Sequence, residues 1–575
     1  MSNVSNSTLV TQNNVGEQWA KYYDARPWLK YYDPGVPKNL DYPSIPAYTI
    51  LEEVAQKNPE GICIYDRGHA LTNKETDQLS NRLAHGLLAL GIRKGERVNL
   101  LMPNMAQYIL AYFAVIKIGA IVVATNPLYS PREIEHQAND SGSVVMVLHQ
   151  GYYQTIKAIQ SKTHLRQLIV VEPDDVFCQE KPERPVLAEG DLYFSDLLAQ
   201  YQTTHRPDVP VSSDDTALLQ YTGGTTGIPK GAVVLHKNLV ANTLQLYTWT
   251  IVAGEFGKET LVLTIPLCHI YGMVCGMLLS MQSGCAMVLL ENPRDLNAII
   301  QNIQNYKATF FHGVPTLYNA INNHPDVQAG KVRLASLKLC NSGSAPLMKG
   351  TKERFEHLTG ACLTEGYGLT EAPTCTHTNP ILGANRTGDG SFGIPIQDTD
   401  ARVISLEDGK TILPPGEIGE LIVRGPQVSA GYHNMSEETA AAYQNGWLYT
   451  GDIVRMDEEG FFFFIDRKKE LIKPGGYQVW PRDVEEVINT HPSVVEAAVG
   501  GIPDPYRGET VKAWVVLKPG KTLSVDEIRA WCKKDLAPFK VPTHVEFRDS
   551  LPKTHVGKIL RRELVREHNE KEKRQ

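Results

Sequence analysis

Apolar and polar positions along this chain follow two periods that take turns. Thr72 and Glu75 stand at capping-box spacing, in which the threonine hydroxyl accepts an N–H of the first turn and the glutamate takes the cap's own N–H. Leu79, Leu83, Leu87 and Leu90 then mark one helical face, and Gly91 is its expected stop. Short apolar runs at 98–102, 121–125 and 144–148 alternate with helical stretches that begin at Ala106 and Pro131. The alternation resumes with runs at 216–220, 260–264, 286–290 and 308–311. Strands alternating with helices predict an α/β fold, a large N-terminal region of parallel-type βα layers joined by crossover helices.

The texture changes after Arg386. Short runs at 401–404 and 419–423 are separated by Asp-Gly, Pro-Pro-Gly and Gly-Pro, which predicts a small β-rich lobe with tight turns over about 386–466. A run of four phenylalanines, 461–464, stops against Asp466-Arg467-Lys468-Lys469, and the expected domain boundary lies there. The expected domains are thus 1–466 and a small, mobile α+β domain at 467–575, whose charged tail from Glu567 reads as a frayed helix end.

Composition narrows the classes. The 57 Lys and Arg against 64 Asp and Glu give a net charge of −7 over 575 residues, which argues against a dedicated nucleic-acid binder. Nine cysteines are scattered without a C-x-x-C pair, so neither a disulfide framework nor a zinc ribbon is expected, and most read as small buried hydrophobes in a reducing compartment. The polar N-terminus has no apolar h-region. The most apolar stretch, 108–125, is broken by Lys117 and Gly119, short of the ~20 apolar residues of a membrane span. The expected location is the cytoplasm; peripheral contact with the inner face of the membrane and a homodimer are left open.

The strongest local signal is Tyr221-Thr-Gly-Gly-Thr-Thr-Gly-Ile-Pro-Lys-Gly231. Glycines let backbone N–H groups turn inward, hydroxyls add donors, and Lys230 adds a point charge, so such a loop can wrap polyphosphate. It is not a Walker A loop, because Gly227 is followed by Ile228-Pro229 rather than by Lys-Ser/Thr. Alone, it reads equally well as a flexible surface turn. This loop resembles the signature of the adenylate-forming acyl-CoA synthetases, the superfamily that includes firefly luciferase and peptide-synthetase adenylation domains. Five further matches follow in that family's order: Pro266-Leu-Cys-His-Ile-Tyr-Gly272, Ser342-Gly-Ser-Ala-Pro-Leu347, Gly366-Tyr-Gly-Leu-Thr-Glu371, Trp447-Leu-Tyr-Thr-Gly-Asp452 and Pro552-Lys-Thr-His-Val-Gly-Lys-Ile559.

The resemblance implies a role for each motif. ATP and AMP would be held by Thr222, Gly223, Gly224, Thr225, Thr226 and Lys230, by an adenine wall of Gly343, Ser344 and Ala345, and by Gly366, Tyr367 and Gly368. Thr370 would touch the α-phosphate and Glu371 would bind Mg²⁺, a hard cation that prefers oxygen ligands. Asp452 and Arg467 would hold the ribose, although Asp452 alone reads as a turn residue capping its own backbone. His269 would gate or position the carboxylate; a histidine in an apolar stretch is otherwise a hydrogen-bonded core residue. Lys558, on a tail that also holds Lys553, Arg561, Arg562 and Arg566, is either one more solvated cation or, by resemblance, the ammonium that bridges carboxylate and α-phosphate. Lys469 matches the hinge, and Lys473, Gly475, Gly476 and Tyr477 match the segment used in thioester formation.

The expected activity is ATP-dependent ligation of an acid to coenzyme A, with ATP, Mg²⁺ and CoA required and no nucleic-acid partner. The segments expected to form the acyl pocket, with Tyr271, Gly272, Gly313, Val314 and Pro315, are apolar and carry no partner for a charged substrate tail. That favours a medium- to long-chain fatty acid, in line with a texture similar to bacterial long-chain fatty acid–CoA ligases; an aryl acid is the alternative. A loader of carrier proteins and a non-catalytic nucleotide binder are the rival classes.

Overall fold

The computed structural model describes residues 17–177, 184–222, 229–475, 477–554 and 557–572. The chain divides into two compact units. One comprises Trp28–Asp400 with Val423–Leu448. The other takes in Ala401–Ile422, the chain from Tyr449 onward, and the segment up to Pro27.

The first unit is built on parallel strands, as the alternation predicts. In a seven-stranded sheet the strands run Leu192–Tyr193, Gln167–Val171, Ser143–His149, Arg97–Leu101, Ile121–Ala124, Thr216–Thr222 and Lys230–Leu235, all parallel except the last. A second parallel series runs Ile62–Asp66, Ala286–Leu289, Thr260–Leu263, Phe310–Gly313, Leu339–Ser342 and Cys362–Leu369. His69–Thr72 at one end, and Ala372–Thr378 and Ser391–Pro395 at the other, add antiparallel partners.

Local chemistry sets the helix ends where the sequence signals them. Thr72 and Glu75 form the reciprocal capping box of helix Asn73–Ala89, and the chain leaves at Gly91 with a φ of 81°, a left-handed conformation that favours glycine. Ser130 and Glu133 cap Pro131–Ser141 in the same way. Every residue of the helix Ala106–Lys117 is buried. Its terminal Lys117 is fully buried too, and its ammonium donates to Asp77 Oδ1 at 2.6 Å, Ser80 Oγ at 2.7 Å and Asn81 Oδ1 at 2.8 Å, so the charge is paired where it could not be left bare. No described helix is long and apolar enough to cross a membrane. Among the described residues, seven cysteines are buried, Cys362 is half-buried, and none is in a disulfide.

The second unit carries a three-stranded sheet in which Val494–Asp504 and Gly508–Leu517 are antiparallel and His544–Arg548 adds a parallel edge. Helices Pro481–Asn489 and Val525–Asp535 bury Val484, Ile488 and Ile528 against Val499, Val511 and Val515. The strand Trp447–Met456 pairs with Phe462–Arg467 so that Asp452 lies opposite Arg467. The last helix is Arg561–Glu572.

From sequence alone the glycine-rich segment at 367–371 is too polar for a strand core, yet Tyr367, Gly368 and Leu369 lie within the strand Cys362–Leu369. The antiparallel partner Ala372–Thr378 satisfies their backbone groups, and Thr370 and Glu371 form the connection between the two. Glycine is required there, since a Cβ at Gly368 would stand 1.6 Å from the Thr374 carbonyl oxygen.

Candidate functional site

The motif residues of the first unit gather beyond the carboxyl ends of its parallel strands, the usual ligand position in open α/β sheets. Gly313 is paired with Ser342, and Ser342 with Glu365, so the residues that follow them start at one level of the sheet. Val314 and Pro315, and Gly343 to Ala345, leave the sheet there, while Gly366 to Gly368 continue in the strand Cys362–Leu369 against Ala372–Thr378. Gly343 donates its N–H to the Gly313 carbonyl at 3.3 Å, and Ser344 has a φ of 70°. Tyr367 packs on Phe392 at 4.6 Å and meets the His377 ring edge-on at 5.8 Å.

Tyr271 leans into the same region. Its hydroxyl donates to Asn341 Oδ1 at 2.9 Å, and its ring lies parallel to that of His312 at 6.1 Å. A Cβ at Gly343 would come within 3.3 Å of the Tyr271 ring, which explains the small residue at the start of the proposed adenine wall. His312 is buried, and desolvation brings its pKa down to about 4, so it is neutral. Gly272 is also obligatory, because its Cβ would meet the Pro266 carbonyl at 2.3 Å.

The preceding loop is held by two buried amides. Asn104 accepts from Leu267 N–H and donates to the Ile265 carbonyl, while Gln220 donates to the Cys268 carbonyl at 2.9 Å. His269 is thereby presented half-buried, its Nδ1 accepting from Tyr271 N–H at 3.2 Å. From Gly272 to Leu278 the chain forms a fully buried π-helix, a geometry that the apolar sequence does not signal and that is frequent at functional sites. Met273, Val274, Met277 and Leu278 give that segment an apolar surface.

Glu371 has partners that sequence spacing does not announce. Tyr432 donates its hydroxyl to Glu371 Oε1 at 2.7 Å, and Ser429 N–H donates to the Glu371 carbonyl. Lys230 Nζ lies 5.3 Å from the centroid of the Tyr432 ring, so the lysine of the Gly/Thr loop and the proposed metal ligand share one tyrosine. Burial first, then the negative charge of Glu371, holds the Tyr432 hydroxyl far above its ordinary pKa, which keeps it a donor. Thr222 pairs with Lys230 across the antiparallel strands that bracket the loop. Gly223, Gly224, Thr225 and Thr226 lie outside the described residues, as does Gly476.

In the second unit the three charged motif residues come together. Arg467 Nε is 2.9 Å from Asp452 Oδ1, and Asp452 is buried. Lys558, far away in sequence, is half-buried close enough to feel Asp452, Arg467, Glu470 and Arg561. Desolvation leads in bringing its pKa down to about 8; Arg467 and Arg561 add to the fall, and Asp452 and Glu470 oppose it. A cavity of about 280 Å³ opens beside the pair, lined by Thr450, Gly451, Arg467, Lys468 and Lys469. Lys469 is exposed.

The segment that the resemblance assigns to thioester formation is a separate feature of that unit. Ile472 and Val479 are bridged, Lys473 N–H donates to Glu509 Oε2, and Gly475, at a φ of 59°, donates its N–H to the Arg507 carbonyl. Tyr477 is 58% exposed and stacks on Phe539 at 4.6 Å, an aromatic platform facing solvent.

Among the described residues, no group of three or more His, Cys, Asp or Glu side chains could hold a metal ion by itself. Glu371 fits Mg²⁺ in another way, since that ion keeps several waters and binds through one or two carboxylates plus substrate phosphates.

Comparison with known proteins bears on the family and the fold. Residues 51–433 match the family model of the AMP-binding enzymes, and residues 483–558 match the AMP-binding enzyme C-terminal domain. The long-chain-fatty-acid–CoA ligase of Bacillus subtilis (strain 168) is 40% identical over 561 residues, covering 95% of this chain and 98% of the relative. That of Escherichia coli O6:H1 is 37% identical over 559 residues, covering 93% and 97%. The crystal structure of ATP-bound MatB from Rhodopseudomonas palustris superposes with a TM-score of 0.82 at 28% identity, covering 91% of this chain and 99% of that one.

Proposed function

Because the chain belongs to the AMP-binding enzyme family, we propose that it ligates a medium- to long-chain fatty acid to coenzyme A through an acyl-AMP intermediate. The observation that carries this reading is the convergence of Asp452, Arg467 and Lys558 from three separate motifs on one charged cluster. In the first half-reaction a carboxylate oxygen attacks the α-phosphorus, the bond to the β-phosphate bridging oxygen breaks, and pyrophosphate leaves. In the second, the CoA thiolate attacks the acyl carbon, the acyl–phosphate bond breaks, and AMP leaves.

The protein's part is positioning and electrostatics. Lys558 offsets the repulsion between carboxylate and α-phosphate, Thr370 and Lys230 contact phosphate oxygens, and Asp452 with Arg467 orients the ribose. Tyr367 and the 343–345 segment flank adenine. His269 positions the carboxylate. Glu371 holds Mg²⁺, which supplies charge neutralisation for the polyphosphate and its leaving group. The 473–477 segment serves the thioester step, and Lys469 is the hinge between an adenylating part, 1–466, and a mobile part, 467–575. The apolar π-helix beside Tyr271 and His312 supports an aliphatic tail, each buried CH₂ adding ~0.8 kcal/mol.

The test is product analysis over a panel of fatty acids of graded length and aryl acids. AMP and pyrophosphate formed in step with acyl-CoA, fastest with fatty acids, is the expected result. Stoichiometric ADP and phosphate sink the assignment, aryl acids in the lead sink the substrate, and an acyl-AMP that only a carrier protein's phosphopantetheine clears makes the protein a loader.

Glu371→Gln keeps the acceptor for Tyr432 but removes the charge. Adenylation at low Mg²⁺ should fall on the order of tenfold or more, with partial recovery as Mg²⁺ is raised. A variant that titrates with Mg²⁺ like the parent would remove Glu371 from the metal site.

A further inference from the structure

Arg561 opens the last helix, three residues after Lys558, and its guanidinium ties together parts of the second unit that are distant in sequence. Nε and Nη2 form a fork on Glu485, at 2.8 Å to Oε1 and 2.6 Å to Oε2. Nη1 reaches Asp466 Oδ1 at 3.3 Å and also bonds Glu470. The carboxylates are themselves anchored: Glu485 accepts from Val499 N–H at 2.7 Å, and Asp466 Oδ2 accepts from Arg482 N–H at 3.0 Å. Asp466 and Glu470 flank Lys469 on either side.

Three carboxylates around one guanidinium leave an excess of negative charge, and the next cation is Lys558, which already feels Glu470. The same ammonium must remain available to substrate oxygens beside Asp452. A fork on Glu485 that also occupies Asp466 and Glu470 prevents those carboxylates from capturing it. A lysine at this place could not do so, because it is a point charge without the planar fork.

Resting on the reading of Lys558 as the adenylation lysine, we infer that Arg561 is its positioning residue: by engaging Asp466, Glu470 and Glu485 together it keeps the Lys558 ammonium from being drawn to Glu470 and holds the 557–561 segment in register with Asp452 and Arg467. The device acts on one half-reaction. Thioester formation from supplied acyl-AMP does not use the Lys558 ammonium and is spared.

The experiment measures the two half-reactions separately in the full chain, pyrophosphate release for adenylation and thioester formation from supplied acyl-AMP and CoA. Arg561→Met should slow adenylation on the order of 10²-fold while the thioester step changes by no more than about twofold. Arg561→Met combined with Glu470→Gln should recover about tenfold of that loss in adenylation alone, since the competing carboxylate is gone; a merely structural role of Arg561 predicts loss and recovery that are alike in both half-reactions. Arg561→Lys is measured alongside, with a loss expected between the parent and Arg561→Met, and it serves in place of the methionine variant if that one does not fold. Equal loss in both half-reactions, no rescue by Glu470→Gln, or full adenylation by Arg561→Lys overturns the inference. Lys558→Ala separates the two readings: if it abolishes adenylation while the Arg561 variants do not, only the positioning role falls, and if it leaves adenylation intact, the lysine assignment itself falls.

Discussion

Lys558→Ala is expected to slow acyl-AMP formation by on the order of 10²–10³-fold, the cost of removing one preorganised charge from a developing anionic transition state. Conversion of supplied acyl-AMP and CoA to thioester should be largely unchanged. Rapid quench of each half-reaction decides it, and an equal slowing of both would make the lysine structural. The pH dependence gives a second handle on the same group. Lys558 faces Asp452 and Glu470, which favour its charged form, and Arg467 and Arg561, which disfavour it, and desolvation leads in setting its pKa at about 8. The cationic form does the work, so adenylation should be at full strength below that value and fall as pH rises through it. Lys558→Arg, always charged, should lose that alkaline fall while retaining part of the rate. An unchanged alkaline limb in the arginine variant would assign the titration to another group.

Gly368→Ala should be strongly damaging. Its methyl group would lie 1.6 Å from the Thr374 carbonyl oxygen and 2.5 Å from the carbonyl carbon, both backbone atoms, so no side chain can swing aside. The hairpin Cys362–Leu369 and Ala372–Thr378 must open, moving Tyr367 and Glu371 with it. A loss of about 3 kcal/mol in stability is expected, together with a marked loss of ATP affinity. Gly366→Ala is the control for stability, because its nearest neighbour would be 3.4 Å away, an ordinary contact. Urea unfolding and ATP titration of the two variants check it; equal midpoints and affinities would refute the steric argument.

The parallel strands at Arg97–Leu101, Ile121–Ala124, Ser143–His149, Thr216–Thr222, Thr260–Leu263, Ala286–Leu289 and Phe310–Gly313 were legible because each carries a short apolar run between helix signals. Capping chemistry at Thr72 and Glu75 was legible because both partners lie within four residues. The strand Ala372–Thr378 was not legible. It is buried throughout, yet it carries Thr374, Thr376, His377 and Thr378, and its backbone is satisfied by a distant amide: Asn242 Oδ1 accepts from Thr374 N–H at 2.7 Å. Burial of that kind leaves no apolar period to read. The site divides in the same way. The resemblance picked out Glu371 and Lys558, but not Tyr432, whose bond to Glu371 depends on residues 430–433 crossing Lys230–Leu235. Arg561 sat among Lys553, Arg562 and Arg566 in a basic stretch that reads as a solvated face, and only the three carboxylates around it set it apart.

Buried sulfur has a consequence for an enzyme that makes an acylating agent. An acyl-adenylate reacts with any thiolate within reach, and Cys268, Cys275 and Cys375 belong to the segments that build the proposed site. Burial raises the Cys268 and Cys375 thiols to about 12 and holds Cys275 well above its ordinary value. At neutral pH the thiolate fraction of a thiol at about 12 is on the order of 10⁻⁵. The chain's own sulfur is thus a bystander to the reaction, the protein is spared acylating itself, and the activated acyl group is left for a thiol brought in from outside.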